Sequence, residues 1–303
     1  MSLAPKGLKA ARPKVDYCHG DTWLLPYPKL SLVALFYNEE RSVEAVIREA
    51  LQVLRSVGVS FELVAIQNGS TDGTPEILAR LTKEIPELRI LKIPVNLGAG
   101  YGAVKGWYEA RADYIIGVSG DGQVDLQSIP KMFELMTAVR ADLAYGRRTE
   151  RPDGQSRAIV SGLYQVIMRV LFGMRSKDMN GLPKILTTQA LEAMQLRSAD
   201  QFLECEMMLK AQRMGLRICS VDVLFHKRRG GSSSVGWSDC VDYLRHLFLI
   251  RLGLDRRLGI GKVSRFSPRA EWLHCPNGVA DLAGCAPRSE PTAEPPFWVK
   301  GTP

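Results

Sequence analysis

The strongest constraint on the fold is a regular alternation of short apolar runs and longer helical stretches between residues 30 and 118. Apolar runs cover residues 30–36, 61–66, 88–93 and 114–118, and helical stretches cover residues 39–57, 74–84 and 99–112. Short apolar runs separated by helices are typical of βαβ units, so the sequence predicts an α/β fold with a mostly parallel sheet flanked by helices. Ligands of such sheets bind beyond the carboxyl ends of the strands, which directs attention to the polar residues after each run.

The second half of the chain follows a less regular pattern. Predicted helices cover residues 125–140, 159–172 and 202–214, and predicted strands cover residues 142–146, 182–186 and 216–225. Residues 1–29 contain four prolines and no apolar period, and we expect them to form an N-terminal arm. Pro, Gly and Ala dominate residues 263–303, which predicts a disordered tail. The main domain is therefore expected to span residues 30–236.

Residues 237–262 separate this domain from the tail, and residues 238–257 within them show helical periodicity. Apolar side chains recur on one side of the predicted helix, at Val241, Leu244, Leu247, Phe248 and Leu252. Two interpretations remain open. The helix lies in a membrane interface, or it docks on the protein's own core or on a second subunit.

The chain carries 40 Lys and Arg against 32 Asp and Glu, and the excess is concentrated in particular segments. Residues 30–226 are neutral overall, whereas residues 227–265 contain nine basic and three acidic side chains. A basic segment of this kind favours phosphate groups or an acidic lipid surface. Nucleic acid is disfavoured, because the segment has no recognition module and no interleaved aromatic residues for base stacking.

Cysteine spacing and hydropathy limit the expected cellular setting. The six cysteines form no CxxC pair, which argues against a zinc ribbon or a disulfide framework and predicts a reducing, cytoplasmic environment. No stretch approaches the roughly 18 apolar residues that would span a bilayer. We therefore expect a cytoplasmic protein that is soluble, or peripheral at the inner face of the membrane.

Two polar loops that follow predicted strands carry candidate ligand-binding groups. The segment from Gln67 to Thr74 is rich in small residues and leads into a helix, whose N-terminal amides favour anions; a simple capped turn explains it equally well. In the second loop, Asp121 and Gln123 are separated by a glycine and can hold a divalent cation that also contacts phosphate. The alternative for the second loop is an Asx turn with a solvated Gln123.

Four polar loops at one edge of a sheet indicate a nucleotide site. They comprise residues 36–40, 67–74, 96–100 and 120–123. Their order and spacing resemble those of inverting glycosyltransferases of family 2, which have the GT-A fold, and within that family the polyprenyl-phosphate sugar synthases typified by dolichyl-phosphate mannose synthase. The resemblance extends over about residues 30–236. It implies a hexosyltransferase that moves a sugar from a GDP- or UDP-linked donor to a polyprenyl or dolichyl phosphate with inversion.

The resemblance implies a nucleotide-binding set and a metal pair. The nucleotide-binding residues would be Tyr37, Asn38, Glu39, Asn68, Gly69, Ser70, Gly98 and Asp121. Asp121 and Gln123 would hold Mg²⁺ or Mn²⁺. The chain departs from the family pattern at two places, because the amides Gln67 and Asn68 replace acids that face the base, and Ser119 replaces the first acid of the metal motif.

The resemblance also implies residues for the acceptor and for catalysis. Acceptor-binding residues would be Arg147, Arg157, Ser161, Asp178, Glu206 and Ser233, and catalytic residues would be Asp121, Arg147, Arg157 and Arg228. Arginine suits phosphate because its planar fork can bond two oxygens at once. Structural interpretations compete with three of these roles: a helix terminus for Arg157, a solvated carboxylate for Glu206 and a disordered linker around Arg228. Arg148 is expected to be a solvated loop charge.

The chemistry expected of the site depends on the acceptor. A phosphate monoester is already anionic at neutral pH and needs no strong general base, whereas a neutral hydroxyl needs one. Asp178, Glu204 and Glu206 are the candidates for such a base. The missing acids keep a second hypothesis open, in which the protein is a binding or regulatory protein of the same fold with weakened catalysis. The oligomeric state is left open.

Overall fold

The computed structural model describes residues 28–149, 165–174, 176, 178–200, 202–226, 247–249 and 271–284, and the described strands form one eight-stranded sheet. The strands are β1 (Leu30–Phe36), β2 (Phe61–Asn68), β3 (Leu88–Ile93), β4 (Tyr114–Ser119), β5 (Leu143–Arg148), β6 (Lys184–Thr187), β7 (Arg217–Val223) and β8 (Glu271–His274). Their order is β3-β2-β1-β4-β6-β5-β7-β8. Strand β6 is antiparallel to β4 and β5, and the other neighbours are parallel. The predicted α/β fold with a mostly parallel sheet is confirmed.

Helices cover both faces of this sheet. They are α1 (Val43–Val57), α2 (Thr74–Glu84), α3 (Ala99–Glu109), α4 (Ile129–Ala138), α5 (Thr188–Met194) and α6 (Leu203–Met214). Residues 165–172 are also helical, and short 3₁₀ helices cover Leu126–Ser128 and Gly278–Gly284. The bounds predicted for α2 and β3 agree with the structure residue for residue.

Side chains alternate between the two faces of the sheet, and each face has its own hydrophobic core. In β1, Leu30, Leu32 and Ala34 pack in the core that also contains buried residues of α1, α2 and α4. Val33 packs in the opposite core with residues of α3 and α6. Burial on both faces explains why β1 is an almost continuous apolar run in the sequence.

Helix α3 lies close to the sheet because glycines leave room for it. A Cβ atom at Gly106 would lie 2.2 Å from Ile66 Cδ1, and a Cβ atom at Gly117 would lie 2.9 Å from the Trp107 ring. A Cβ atom at Gly102 would lie 2.6 Å from Leu35 Cδ1 and 3.3 Å from the side-chain carbon of Asn68. The first turn of α3 is therefore held against the end of β2.

Some boundaries differ from the predicted ones for local reasons. Helix α1 begins at Val43 rather than at residue 39, because the preceding residues form a turn in which Ser42 N donates to Glu39 O at 3.0 Å. Strand β2 continues through Gln67 and Asn68, which pair with β3, so these two amides end a strand rather than open a loop. The predicted helix at residues 125–140 is divided into the 3₁₀ turn and α4.

The disordered tail predicted for residues 263–303 is wrong for residues 271–284. Strand β8 pairs with β7 in parallel, from Arg217 opposite Glu271 to Ser220 opposite His274. Beyond it, Cys275 is buried, and the 3₁₀ helix Gly278–Gly284 packs beside α4. A four-residue strand is too short to show a period in the sequence, and its pairing depends on the open edge of β7.

Several predicted features lie outside the described residues. These are the arm up to residue 27, most of the helix predicted at residues 238–257, and the remainder of the tail. Residues 247–249 are helical, with Leu247 buried in the core beside α6. Within the described part of the chain, no helix combines the length and the apolar character that crossing a membrane requires.

Candidate active site

Four loops meet at the carboxyl edge of the parallel half of the sheet. They follow β1, β2, β3 and β4, which are neighbours in the sheet and run in the same direction. The predicted convergence of residues 36–40, 67–74, 96–100 and 120–123 at one edge is confirmed. This edge is where a ligand of such a sheet binds.

The loops after β1 and β2 are joined by hydrogen bonds through Asn38. Its backbone N–H donates to Ser70 Oγ at 3.1 Å, and its side-chain Oδ1 accepts from Thr71 N at 2.8 Å. Asn38 has a φ of 53°, in the left-handed region that asparagine tolerates better than most residues. Asn38 and Ser70, both predicted to bind nucleotide, therefore support each other.

Two acids extend this connection to the start of α2. Glu40 N donates to Asp72 Oδ2 at 3.1 Å, and Gly73 N donates to Glu40 Oε2 at 3.0 Å. Asp72 Oδ1 accepts from Thr74 N at 3.0 Å. Burial opposes ionisation of Asp72, but the hydrogen bonds from Thr74 and Glu40 outweigh it and lower the pKa of this carboxyl.

Asn68 connects the end of β2 with the loop after β3. It is 1% exposed, and its Nδ2 donates to Asn96 Oδ1 at 3.1 Å and to Gly98 O at 3.3 Å. Gly98 N donates back to Asn96 Oδ1 at 2.9 Å. Asn68 Oδ1 is buried and has no hydrogen-bond partner among the residues that the structure describes. A buried acceptor without a partner is costly, and the hydrogen bonds of Asn68 Nδ2 are what hold the amide in this orientation.

The loop after β4 is tied to the end of β7. Asp121 Oδ1 accepts from Gln123 N at 3.1 Å, which is the Asx turn that was the alternative interpretation of this loop. Gln123 is not solvated, because it is buried and its Nε2 donates to His226 O at 3.3 Å. His226 N donates to Gln123 O at 2.9 Å. The chain just before Arg228 thus lies beside the candidate metal loop.

The two arginines at the end of β5 are held by carboxylates. Arg147 makes a bidentate pair with Asp222, at 2.6 and 2.7 Å, and Arg148 makes one with Asp178, at 2.7 and 2.6 Å. Burial opposes ionisation of Asp222, but Arg147 outweighs it and lowers the pKa of that carboxyl. The expectation that Arg148 is a solvated loop charge is wrong, because Arg148 lies in β5 and its side chain, which pairs with the buried Asp178, is only 17% exposed.

The two acids of α6 are also paired. Lys184 is 0% exposed and donates to Met179 O at 3.0 Å and to the Glu204 carboxylate. Glu206 is 0% exposed and pairs with Lys210. The predicted acceptor contact of Glu206 is contradicted, because a carboxylate without exposed surface cannot touch an acceptor.

Comparison with known protein families matches residues 31–200 to Glycosyl transferase family 2. The chain belongs to glycosyl transferase family 2. The matched segment contains all four loops at the carboxyl edge of the parallel strands, together with Asp178 and β6. The predicted family is therefore confirmed, and it rests on the part of the chain that forms the candidate site.

Curated relatives of this family 2 protein are identical to it at about a quarter of the aligned positions. Dolichyl-phosphate beta-glucosyltransferase ALG5A of Trichomonas vaginalis is 25% identical over an alignment of 250 residues that covers 77% of this chain and 76% of the relative. Glycosyltransferase AglD of Haloferax volcanii is 27% identical over an alignment of 205 residues that covers 64% of this chain and 32% of the relative. Low-salt glycan biosynthesis hexosyltransferase Agl6 of the same organism is 25% identical over 228 residues, 73% of this chain and 54% of the relative. The chain thus spans about a third and about half of the two Haloferax relatives.

Two solved structures with the same fold contain a bound nucleotide or nucleotide sugar. Glucosyl-3-phosphoglycerate synthase from Mycobacterium tuberculosis, in complex with Mn²⁺, UDP and phosphoglyceric acid, superposes with a TM-score of 0.56 at 18% identity, covering 75% of this chain and 79% of that one. TarS from S. aureus, in complex with UDP-GlcNAc, gives a TM-score of 0.52 at 17% identity, covering 76% and 68%. These similarities confirm the predicted GT-A fold.

The residues present in this family 2 site fit a divalent cation that a substrate diphosphate helps to hold. No group of three or more His, Cys, Asp and Glu side chains that could bind a metal occurs in the described part of the chain. Asp121 supplies one carboxylate and Gln123 one amide oxygen, since the amide nitrogen is already used. Mg²⁺ is commonly held by one or two carboxylates with substrate phosphates and water, so this small donor set is sufficient.

The structure does not place every predicted residue. Arg157, Ser161, Arg228 and Ser233 lie outside the described residues. Sequence reasoning also missed two groups, the buried Lys184 and the His226 backbone beside Gln123. A signal for Lys184 is present in the sequence, because this lysine lies in an apolar strand. A lysine that is buried there requires a carboxylate partner.

Proposed function

We propose that this family 2 protein is an inverting hexosyltransferase that moves a sugar from a GDP- or UDP-linked donor to a polyprenyl or dolichyl phosphate. The family match and the relatives named hexosyltransferase or glycosyltransferase support the transfer of a sugar from an activated donor. The relative named dolichyl-phosphate beta-glucosyltransferase, aligned over 77% of this chain, supports a lipid-phosphate acceptor.

The choice of a phosphate acceptor rests on one observation, which is that each of the three candidate bases forms an ion pair. Asp178 is paired with Arg148, Glu204 with Lys184 and Glu206 with Lys210. A carboxylate whose oxygens already bind a cation is poorly placed to take the proton of a neutral hydroxyl, which would need a general base. A phosphate monoester brings its own negative oxygen, so it can attack without any of these groups.

The donor would bind across the four loops. Tyr37, Asn38 and Glu39 would lie along the base and ribose, and Gly69, Ser70 and Gly98 would complete the nucleotide site. Asn68 is buried and would support this site by holding Gly98 O. Asp121 and Gln123 would hold the cation against the diphosphate. When bound, the cation neutralises charge that develops on the leaving nucleoside diphosphate.

In the proposed step, an oxygen of the acceptor phosphate forms a bond to the anomeric carbon of the sugar. The bond from that carbon to the donor diphosphate breaks on the opposite face, and the nucleoside diphosphate leaves with the electron pair, which inverts the configuration. The pair with Asp222 uses Nε and Nη2 of Arg147, so Nη1 is the part of this fork that would bind the acceptor phosphate. Arg157, Ser161 and Ser233 would complete the acceptor site, and Arg228 would approach the leaving diphosphate.

We propose peripheral contact with an anionic membrane at the cytoplasmic face. The six-charge excess between residues 227 and 265 and the predicted helix at 238–257 support it. Leu247 is buried in the protein core, whereas its neighbour Phe248 is 60% exposed, so the described turn docks on the protein and presents an aromatic side chain outward. Sedimentation with anionic liposomes at low salt tests the proposed contact. A protein that stays in the supernatant would contradict it.

Transfer of labelled sugar into a lipid phase tests the proposed activity. The purified chain is incubated with GDP- and UDP-hexoses, Mg²⁺ or Mn²⁺, and polyprenyl phosphate in detergent. We expect label in the lipid phase and release of nucleoside diphosphate that depends on the lipid. The replacement of family acids by Asn68 and Ser119 favours a second candidate, a nucleotide-binding or regulatory protein, and binding of donor without any transfer would support it instead.

A further inference from the structure

The buried carboxylate of Glu206 organises the loop between α5 and α6. Its oxygens accept hydrogen bonds from the backbone N–H of Arg197 at 3.0 and 3.1 Å and of Ser198 at 2.7 Å. Lys210 pairs with the same carboxylate and donates to Gln195 O at 2.8 Å. Residues 195–198 are therefore held from the interior by one ion pair.

A tyrosine of α3 fixes the start of the same loop. Tyr108 OH donates to Leu191 O at 3.0 Å and accepts from Leu196 N at 2.8 Å. Burial raises the pKa of Tyr108 to about 12, so the hydroxyl keeps its proton at every physiological pH. The loop is thus anchored to α3 as well as to α6.

The far end of this loop lies on the loop that follows β3. Ala199 O accepts from Tyr101 N at 3.0 Å. A Cβ atom at Gly98 would lie 2.8 Å from Ala199 O, and a Cβ atom at Gly100 would lie 2.3 Å from Asp200 O. Gly98 also has a φ of 102°, which side-chain-bearing residues rarely adopt. The two loops are therefore in close contact, and we expect a shift of residues 199–200 to displace Gly98.

Gly98 in turn positions the side chain of Asn68, at the base of the proposed nucleotide site. Its carbonyl oxygen and Asn96 Oδ1 accept from Asn68 Nδ2, which orients the amide so that Oδ1 is the atom without a partner in the described structure. A continuous series of contacts therefore runs from Glu206 through residues 198–199 and Gly98 to Asn68.

We infer that Glu206 is a positioning residue for the nucleotide donor and has no role in binding the acceptor. The inference rests on the nucleotide site proposed above, and it does not depend on the lipid-phosphate acceptor. Replacing the Glu206 carboxylate removes the hydrogen bonds that hold residues 197–198. The loop through residue 200 can then shift and displace Gly98 and Asn68. Donor affinity should fall while acceptor affinity is kept.

Titration calorimetry with UDP and GDP in Mg²⁺ tests this inference on the full chain. Glu206→Gln should weaken nucleotide binding about tenfold, because one amide oxygen replaces a charged acceptor of three donors. Glu192→Gln, on the exposed side of α5, is the matched control and should bind as the unmodified chain does. In the transfer assay, Glu206→Gln should raise the donor KM and leave the acceptor KM unchanged.

Glu206→Gln leaves Lys210 buried without its charged partner, and this variant could fail to fold for that reason. A second variant keeps the test decisive in that case. Tyr108→Phe removes only the hydroxyl anchor of the same loop and should weaken nucleotide binding about twofold to threefold. Unchanged nucleotide affinity in both variants, or a raised acceptor KM with unchanged donor KM, overturns the inference and leaves the proposed function standing. If the unmodified chain binds neither nucleotide, the nucleotide site is wrong, and this inference is overturned with it.

Discussion

At the scale of single residues, the candidate site is built from polar side chains that support one another before any ligand arrives. Asp72 is an example, because its two oxygens join the loop after β1 to the first turn of α2. Asp121 is a second, since it shapes its own loop and is also the one carboxylate of the proposed cation site. Each gives a prediction that can be tested at that residue.

Asp72→Asn should remove a pH-dependent part of the stability. The pKa of Asp72 lies below its ordinary value of 3.8, so its contribution is complete above pH 3.8 and is lost as the pH falls through the lower, folded-state value. Urea unfolding of both proteins across pH should show a constant difference in unfolding free energy above about pH 5, which shrinks below about pH 4. A difference that grows on acidification would contradict the assigned hydrogen bonds.

Ser119→Asp should strengthen the proposed cation site. The substitution restores the family acid at the end of β4 and adds a second carboxylate near Asp121. Titration with Mn²⁺ in the presence of UDP, followed by electron paramagnetic resonance, should show about fivefold to tenfold tighter binding. Asp121→Asn is the opposing variant and should abolish UDP-dependent Mn²⁺ binding. Equal Mn²⁺ affinity in all three proteins would show that the cation is held elsewhere.

At the scale of elements, α3 and β8 show how packing positions the site. The glycines of α3 let the helix approach the sheet until its first turn touches the end of β2. Strand β8 completes the sheet beside β7, whose Asp222 holds Arg147. Lys131 of α4 reinforces this edge by donating to Asp222 O and Pro276 O, both at 3.2 Å.

Gly106→Ala should destabilise the protein although alanine favours helices. The added methyl carbon would lie 2.2 Å from Ile66 Cδ1 and 2.8 Å from Val33 Cγ1, so the core must shift. Overpacking of this kind costs about 1–3 kcal/mol of unfolding free energy, more than the gain in helix propensity. Lys105→Ala, one position earlier in α3, is the control and should stay within about 0.5 kcal/mol. Urea unfolding measures both, and a stabilised Gly106→Ala protein would contradict the packing described for α3.

Removal of β8 should destabilise the sheet. A chain that ends at residue 270 loses the pairing with β7 and the burial of Leu273 and Cys275. A chain that ends at residue 284 keeps every described contact of this segment and is the matched control. We expect the shorter chain to melt at least about 5 °C below the longer one in calorimetry. Equal melting temperatures would mean that β8 does not contribute to the folded sheet.

At the scale of the whole molecule, the sequence predicted the parallel half well because its strands are buried on both faces. Runs such as Leu30–Phe36 and Tyr114–Ser119 are apolar for that reason, and a local pattern is enough to find them. The antiparallel direction of β6 and the existence of β8 were harder to predict, since the partners of a short strand are decided by distant residues. The burial of Glu206 and the pairing of Arg148 with Asp178 are likewise products of tertiary structure.

The central claim is that the acceptor supplies its own negative oxygen, because Asp178, Glu204 and Glu206 are each held by a cation. The most direct test is the initial rate of sugar transfer to polyprenyl phosphate, compared with the rate to the polyprenol of the same chain length at saturating donor. We predict transfer to the phosphate at least about a hundredfold faster than to the alcohol. Transfer to the alcohol within about tenfold of the phosphate rate would contradict the account, because it would require a general base that these three paired carboxylates do not provide.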